Sequence, residues 1–160
     1  MSKIAGAALM MCASGLWCAA QVRRWREEVK LARELGMALE RMEGMIRWQN
    51  LAIPQIMVRE SERLPCGVYF AKIVELVGEG GLLHTCWTDV WRTVACRDIR
   101  QLLCSVELSG DALQIMGSLH MTAQQLYHKS EELRQAQQQK ARLCITASVA
   151  LTAMTAIILI

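Results

Sequence analysis

VRRWREEVKLARELGMALERMEGMIRW, residues 22–48, is the stretch that decides the fold. Its apolar residues Trp25, Val29, Ala32, Leu35, Leu39, Met42 and Ile46 recur at spacings of four and three. An α-helix turns once in ~3.6 residues, so these side chains form one stripe along a helix. The opposite face alternates Arg, Glu and Lys, the pattern of a solvated, salt-bridged surface rather than a binding site. The stretch is the seam of an amphipathic helix that packs on other helices, and Gln49-Asn50 breaks the run.

Outward from this seam the helical reading continues. Pro54 is placed to begin a second helix, through about Arg63, because proline is tolerated in a first helical turn. Pro65-Cys66-Gly67 is a turn, Val68–Val77 a third helix, and Gly78-Glu79-Gly80-Gly81 its end. Leu82–Cys96 reads as a fourth helix with Trp87 and Trp91 one turn apart. Asp98 is suited to cap a fifth through Leu108, with Ser109-Gly110 closing it. After Gly117 no Gly or Pro occurs in the remaining 43 residues. A continuous helix of that length reaches roughly 60 Å at ~1.5 Å per residue. Its polar half carries a narrow stripe of Leu119, Ala123, Leu126 and Leu133. Ten Gly and two Pro are too few turn formers for an all-β sandwich, and 53% hydrophobic residues exclude disorder. The net charge of +3 gives no reason to expect nucleic acid as a partner.

Charge is distributed unevenly. Of 18 Lys and Arg only Lys3 lies outside positions 21–142, and all 15 Asp and Glu lie inside. Residues 4–20 and 143–160 are uncharged runs of 17 and 18. A membrane-crossing helix needs about 20 apolar residues, with ~17 near the lower limit. Both ends therefore read as spans. The first has an alternative reading as a cleaved signal peptide, with Cys18-Ala19-Ala20 near a processing point, but Arg23, Arg24 and Arg26 follow at once and resist export. The second is an anchor unless it is a buried terminal helix. With Lys140 and Arg142 abutting the second span, the bases place the middle in the cytoplasm and both termini on the far side. The expected organisation is all-α: residues 1–22 as a first transmembrane helix, 23–142 as a cytoplasmic antiparallel bundle of about six helices, and 143–160 as a second transmembrane helix. Cys12, Cys18 and Cys144 then lie in or beside lipid, while Cys66, Cys86, Cys96 and Cys104 are free thiols in a reducing compartment.

No motif carries chemistry. His84, Cys86, Cys96 and Cys104 lack any Cys-x2-Cys pair, and positions i and i+2 of a helix point apart, so zinc is a poor reading. His128 and Glu131 lack the further Glu residues of a di-iron set. Gly78-x-Gly80-Gly81 has no following Lys-Ser/Thr and is a turn, not a phosphate loop. Trp87 and Trp91 read as core rather than as a ligand platform. No catalytic, cofactor-binding or metal-binding residue is assigned.

The motifs in their order resemble the stage III sporulation protein AB family, small two-span membrane proteins of endospore-forming bacteria. Met42-Glu43-x-x-Ile46-x-Trp48 with Ile53-Pro54 is similar to that family's Leu-Glu-x-Glu-Ile-x-Tyr and Pro-Leu-Pro-Glu-Ala stretch. Cys86-Trp87-Thr88-Asp89-Val90 is similar to its Ala-Trp-x-x-Ala. Leu108-Ser109-Gly110 with Leu113, then Gln124, and a Gln- and Lys-rich helix entering an apolar end follow as in the family. The chain departs from the pattern at Ala52, where the family has proline, and at Met116-Gly117-Ser118-Leu119-His120, where it has Leu-Gly-x-x-Asp-Arg. The resemblance, to a divergent member, implies a non-catalytic part of the channel between mother cell and forespore. It also implies likeness to the platform proteins of type II secretion, which couple a cytoplasmic ATPase to machinery in the membrane. The partners implied are that ATPase, other channel membrane proteins and the bilayer, with a homo-oligomer as an open arrangement and no nucleic acid. The location implied is the outer forespore membrane, with the domain on the mother-cell side. The competing reading is a membrane-tethered redox or metal-binding helical module using Cys86, Cys96 and Cys104.

Overall fold

The computed structural model describes residues 2–63 and 66–159, and for most of 2–18 and 144–159 it describes the backbone alone. Among the described residues there are six helices and no strand: α1 Ser2–Gln49, α2 Ile53–Ser61, α3 Gly67–Gly78, α4 Leu83–Trp91, α5 Arg97–Cys104 and α6 Ala112–Leu159. The chain divides into two compact units, Lys30–Ser130 and a second one of Met1–Val29 with Glu131–Ile160.

In the unit Lys30–Ser130 the predicted seam is buried. Ala32, Leu35, Leu39 and Met42 are fully inaccessible and Ile46 nearly so, and Ala38 and Met45 widen the stripe. From α6, Leu119, Ala123 and Leu126 are buried as their spacing requires, while Leu133, in the other unit, is half-buried. The centre is aromatic. Trp87, Trp91 and Phe70 are fully buried, with Trp87 and Trp91 edge-on at 5.3 Å between ring centroids and Phe70 edge-on to Trp91 at 5.6 Å. Each such ring contributes about 1.5–3 kcal/mol or more by leaving water, and aromatic pairs of this geometry add roughly 0.5–1.5 kcal/mol. The Trp87 indole N–H donates to the Leu103 carbonyl at 2.7 Å, which ties α4 to the end of α5.

The helix ends have local causes. Asn50 closes α1 in the left-handed region, φ 49°. Gly67 is required because α2's last turn approaches it: a Cβ there would lie 2.6 Å from the Ser61 carbonyl oxygen. Gly80, φ +95°, terminates α3, with the N–H groups of Gly80 and Gly81 donating back to the carbonyls of Val77 and Leu76.

Four expected boundaries are corrected. The fourth helix stops at Trp91, not Cys96, because Thr93 and Val94 turn tightly onto the carbonyls of Val90 and Trp91. Asp98 is inside the first turn of α5 and caps nothing; its carboxylate instead meets Lys129 at 2.7 Å. The fifth helix ends at Cys104, not Leu108, and the irregular segment after it inserts Val106 and Leu108 into the core. The sixth helix starts at Ala112 and runs through Gly117. Asp111 accepts the Ala112 N–H at 2.8 Å, and the Gln114 side chain accepts the Asp111 N–H at 3.4 Å, the second of these being one half of a capping box.

In the other unit, Lys140 lies over the Trp25 ring, 5.4 Å from its centroid, and Arg23 pairs with Glu27 at 3.2 Å. Among the described residues no helix is long and apolar enough to cross a membrane. The expected spans at 4–20 and 143–160, with Cys12, Cys18 and Cys144, fall mostly on side chains outside the description. Cys66, Cys86, Cys96 and Cys104 are free thiols, as expected.

Candidate functional site

Polar side chains concentrate along the flank of the α1–α6 seam. Glu40, Glu43 and Arg47 are three and four apart and follow one edge of α1, while His120, Gln124 and Tyr127 follow one edge of α6. The Tyr127 hydroxyl donates to Glu40 at 2.8 Å, and Glu43 meets the His120 Nδ1 at 2.9 Å. The partners descend α1 as they ascend α6, so the two helices run antiparallel here. Gly36 lets the Tyr127 ring lie on α1, since a Cβ would come within 3.2 Å of it. Burial, and then the hydrogen bond to Glu40, push the Tyr127 hydroxyl up to about 12.

The Glu43 carboxylate is buried, 6% exposed, and its other oxygen accepts from Arg47 at 2.5 Å. A carboxylate only accepts, so the Nδ1 of His120 carries the proton. The Nε2 then has a lone pair, which the Gln124 amide meets at 2.9 Å. Both ring nitrogens are engaged. Glu43, Arg47, Leu113, Met116, Gly117 and His120 line a shallow cleft of ≈ 250 Å³ beside the pair. The lining combines the Glu43–His120 pair and Arg47 with the apolar Leu113 and Met116, so the cleft offers a hydrogen-bonding and apolar surface.

A second polar link joins α1 to α2. Glu60 is completely buried, and Arg41 grips both its oxygens, Nε at 3.0 Å and Nη2 at 2.6 Å, with Arg63 at 3.6 Å. The bond to Glu60 holds the Arg41 guanidinium above its ordinary range, so it remains charged at any relevant pH. Burial also pushes the neighbouring Cys66 thiol up.

The residues of the metal reading are not gathered. Cys86 is buried beside Gly81, in the wall of a separate cleft of ≈ 410 Å³ with Glu79, Thr85 and Asp89. The Cys104 thiol faces the Thr88 carbonyl at 3.9 Å, Cys96 precedes α5, and His84 is exposed. Among the described residues no three His, Cys, Asp or Glu side chains converge to hold a metal ion. Sequence reasoning did not find the Glu43–His120 link, although Glu43 adjoins the seam residue Met42 and so sits at the edge of the buried stripe.

No curated protein and no solved structure matches the chain. A helical unit built on a long first and a long last helix, with Trp87 of the Cys86–Val90 stretch buried at its centre, carries the motifs in their expected order. The family model of stage III sporulation protein AB matches residues 3–160, so the chain belongs to that family and its role is in sporulation.

Proposed function

We propose that the chain is a non-catalytic membrane platform of the mother cell–forespore channel complex, docking a cytoplasmic ATPase. The observation that carries this reading is the architecture of α1 and α6. Each is a single helix of 48 residues that passes without a break from the charged middle into an uncharged end, 4–20 or 143–160. Membership of the family suggests membrane association, and the two uncharged ends supply two spans with residues 23–142 on the mother-cell side. The closed Glu43–His120–Gln124 chain supports a positioning rather than a catalytic role for the most enzyme-like group of side chains.

Reconstitution tests the reading. Vesicles carrying the full-length chain are expected to retain the purified ATPase of the same complex, while empty vesicles are not. ATPase that sediments equally with both would refute the docking role. Loss of the gene is expected to block spore formation, and its effect should be reversed by the wild-type chain.

A further inference from the structure

We infer that the basic turns at Arg24–Arg26 and Lys140–Arg142 form a binding site for the phosphate of anionic phospholipid headgroups. The inference deepens the two-span reading and rests on it. Lys140 over the Trp25 ring at 5.4 Å brings these turns of α1 and α6 to one level. Arg24, Arg26, Lys140 and Arg142 are all exposed, and among the described residues no carboxylate pairs with any of them. Arg23 and Arg134, by contrast, are engaged by Glu27 and Glu131. At these cations lies a polar cleft of ≈ 250 Å³ lined by Gln135, Gln138, Gln139 and Arg142. Three primary amides and a guanidinium supply hydrogen-bond donors without a negative charge, which suits an anionic group such as a phosphate diester better than a cationic ligand. On the apolar side of the same level, Trp17 and Leu143 are 70% and 68% exposed, as expected of groups that meet lipid rather than water. A headgroup phosphate held in the cleft places its acyl chains along these residues, which a free phosphate does not.

Each base near an anionic surface is worth about fivefold in association at low salt, from ~1 kcal/mol apiece. The full-length chain is reconstituted in vesicles holding brominated phosphatidylglycerol or brominated phosphatidylcholine at equal fraction, and tryptophan quenching is measured. Stronger quenching by phosphatidylglycerol is expected. The double variant Lys140→Gln, Arg142→Gln should lose roughly 25-fold of that preference while retaining its helical circular dichroism. Arg134→Gln, whose cation is already paired, should retain the preference, and an equal loss there would overturn the site. Equal quenching by both lipids would overturn the inference and leave the two-span reading standing. Absence of quenching by either would overturn both. Inorganic phosphate that abolishes the preference at matched ionic strength would mean a free-phosphate site, against the lipid assignment.

Discussion

Replacing Arg41 by Met should destabilise the unit Lys30–Ser130 by about 3 kcal/mol, because it removes both close hydrogen bonds of a carboxylate that has no access to water. Glu60 is 0% exposed, and what remains near it is Arg63 at 3.6 Å, itself more than half exposed. Stranding a buried charge in this way costs about 3–5 kcal/mol, and the residual pairing to Arg63 sets the lower end. The reverse deletion is milder. Arg41 is one-third exposed, so in Glu60→Leu its guanidinium turns to water, and a cost of about 1 kcal/mol is expected. The double variant Arg41→Met, Glu60→Leu should also lie within about 1 kcal/mol of wild type, since apolar replacement of a buried pair is nearly neutral. The cycle is therefore non-additive by about 3 kcal/mol. Urea unfolding of the purified full-length chain in mild detergent reads this out through the emission of the buried Trp87 and Trp91. At a slope of about 1.5 kcal/mol/M the midpoint of Arg41→Met falls by about 2 M and that of the double variant by less than 1 M. Additive costs, or an Arg41→Met that unfolds like wild type, would refute the reasoning that Glu60 depends on Arg41.

Leu39→Asp, at a fully buried seam position, should cost at least about 3 kcal/mol in the same assay, and wild-type stability would put the helix face in error. Tyr127 titrates near 12 in the folded chain against about 10 unfolded, so its contribution is complete below pH 10 and is lost as pH rises toward 12. Stability measured across that window should fall more steeply in wild type than in Tyr127→Phe; parallel curves would exclude the Tyr127–Glu40 link. Alkylation of the native chain should spare Cys66, which is buried with its thiol pushed up, and label the half-buried Cys96 and Cys104 first. For the two-span topology, a tag after Ile160 should be shielded from the cytoplasm while residues 60–100 are accessible to it. Accessibility of both from the cytoplasm would remove the second span.

The periodicity of 22–48 and the burial of Trp87 and Trp91 were legible because a single helix face or a pair of large apolar rings carries its own signal. The start of α6 has its own local signal. Asp111-x-x-Gln114 is a capping sequence, whereas Gly117 marks no boundary; an interior glycine costs about 1 kcal/mol yet does not end a helix, and here its surroundings are open. Asp98 shows the opposite error. A residue that suits a cap also suits the first turn two positions past the cap, and its bond to Lys129, on a helix far along the chain, accompanies that placement. The Glu43–His120 link had no local signal at all. Its members are 77 positions apart, and periodicity tells which face of each helix is apolar but not which flank of one helix meets which flank of the other.

That flank has a consequence for how α1 and α6 hold their register within the unit. The seam is built from Leu35, Leu39, Met42, Leu119 and Leu126, and aliphatic side chains of similar size accept a slip of one helical turn, about 5.4 Å, at modest cost. The polar links do not. A slip of one turn removes His120 from Glu43, leaving one oxygen of a buried carboxylate without its partner. The same slip takes the Tyr127 ring off Gly36, the place on α1 where absence of a Cβ admits it, and separates its hydroxyl from Glu40. Two unrelated constraints, one of hydrogen bonding and one of steric fit, thus select the same register. The platform role proposed above would draw on that property, because helices free to slip would dissipate a displacement between them instead of carrying it.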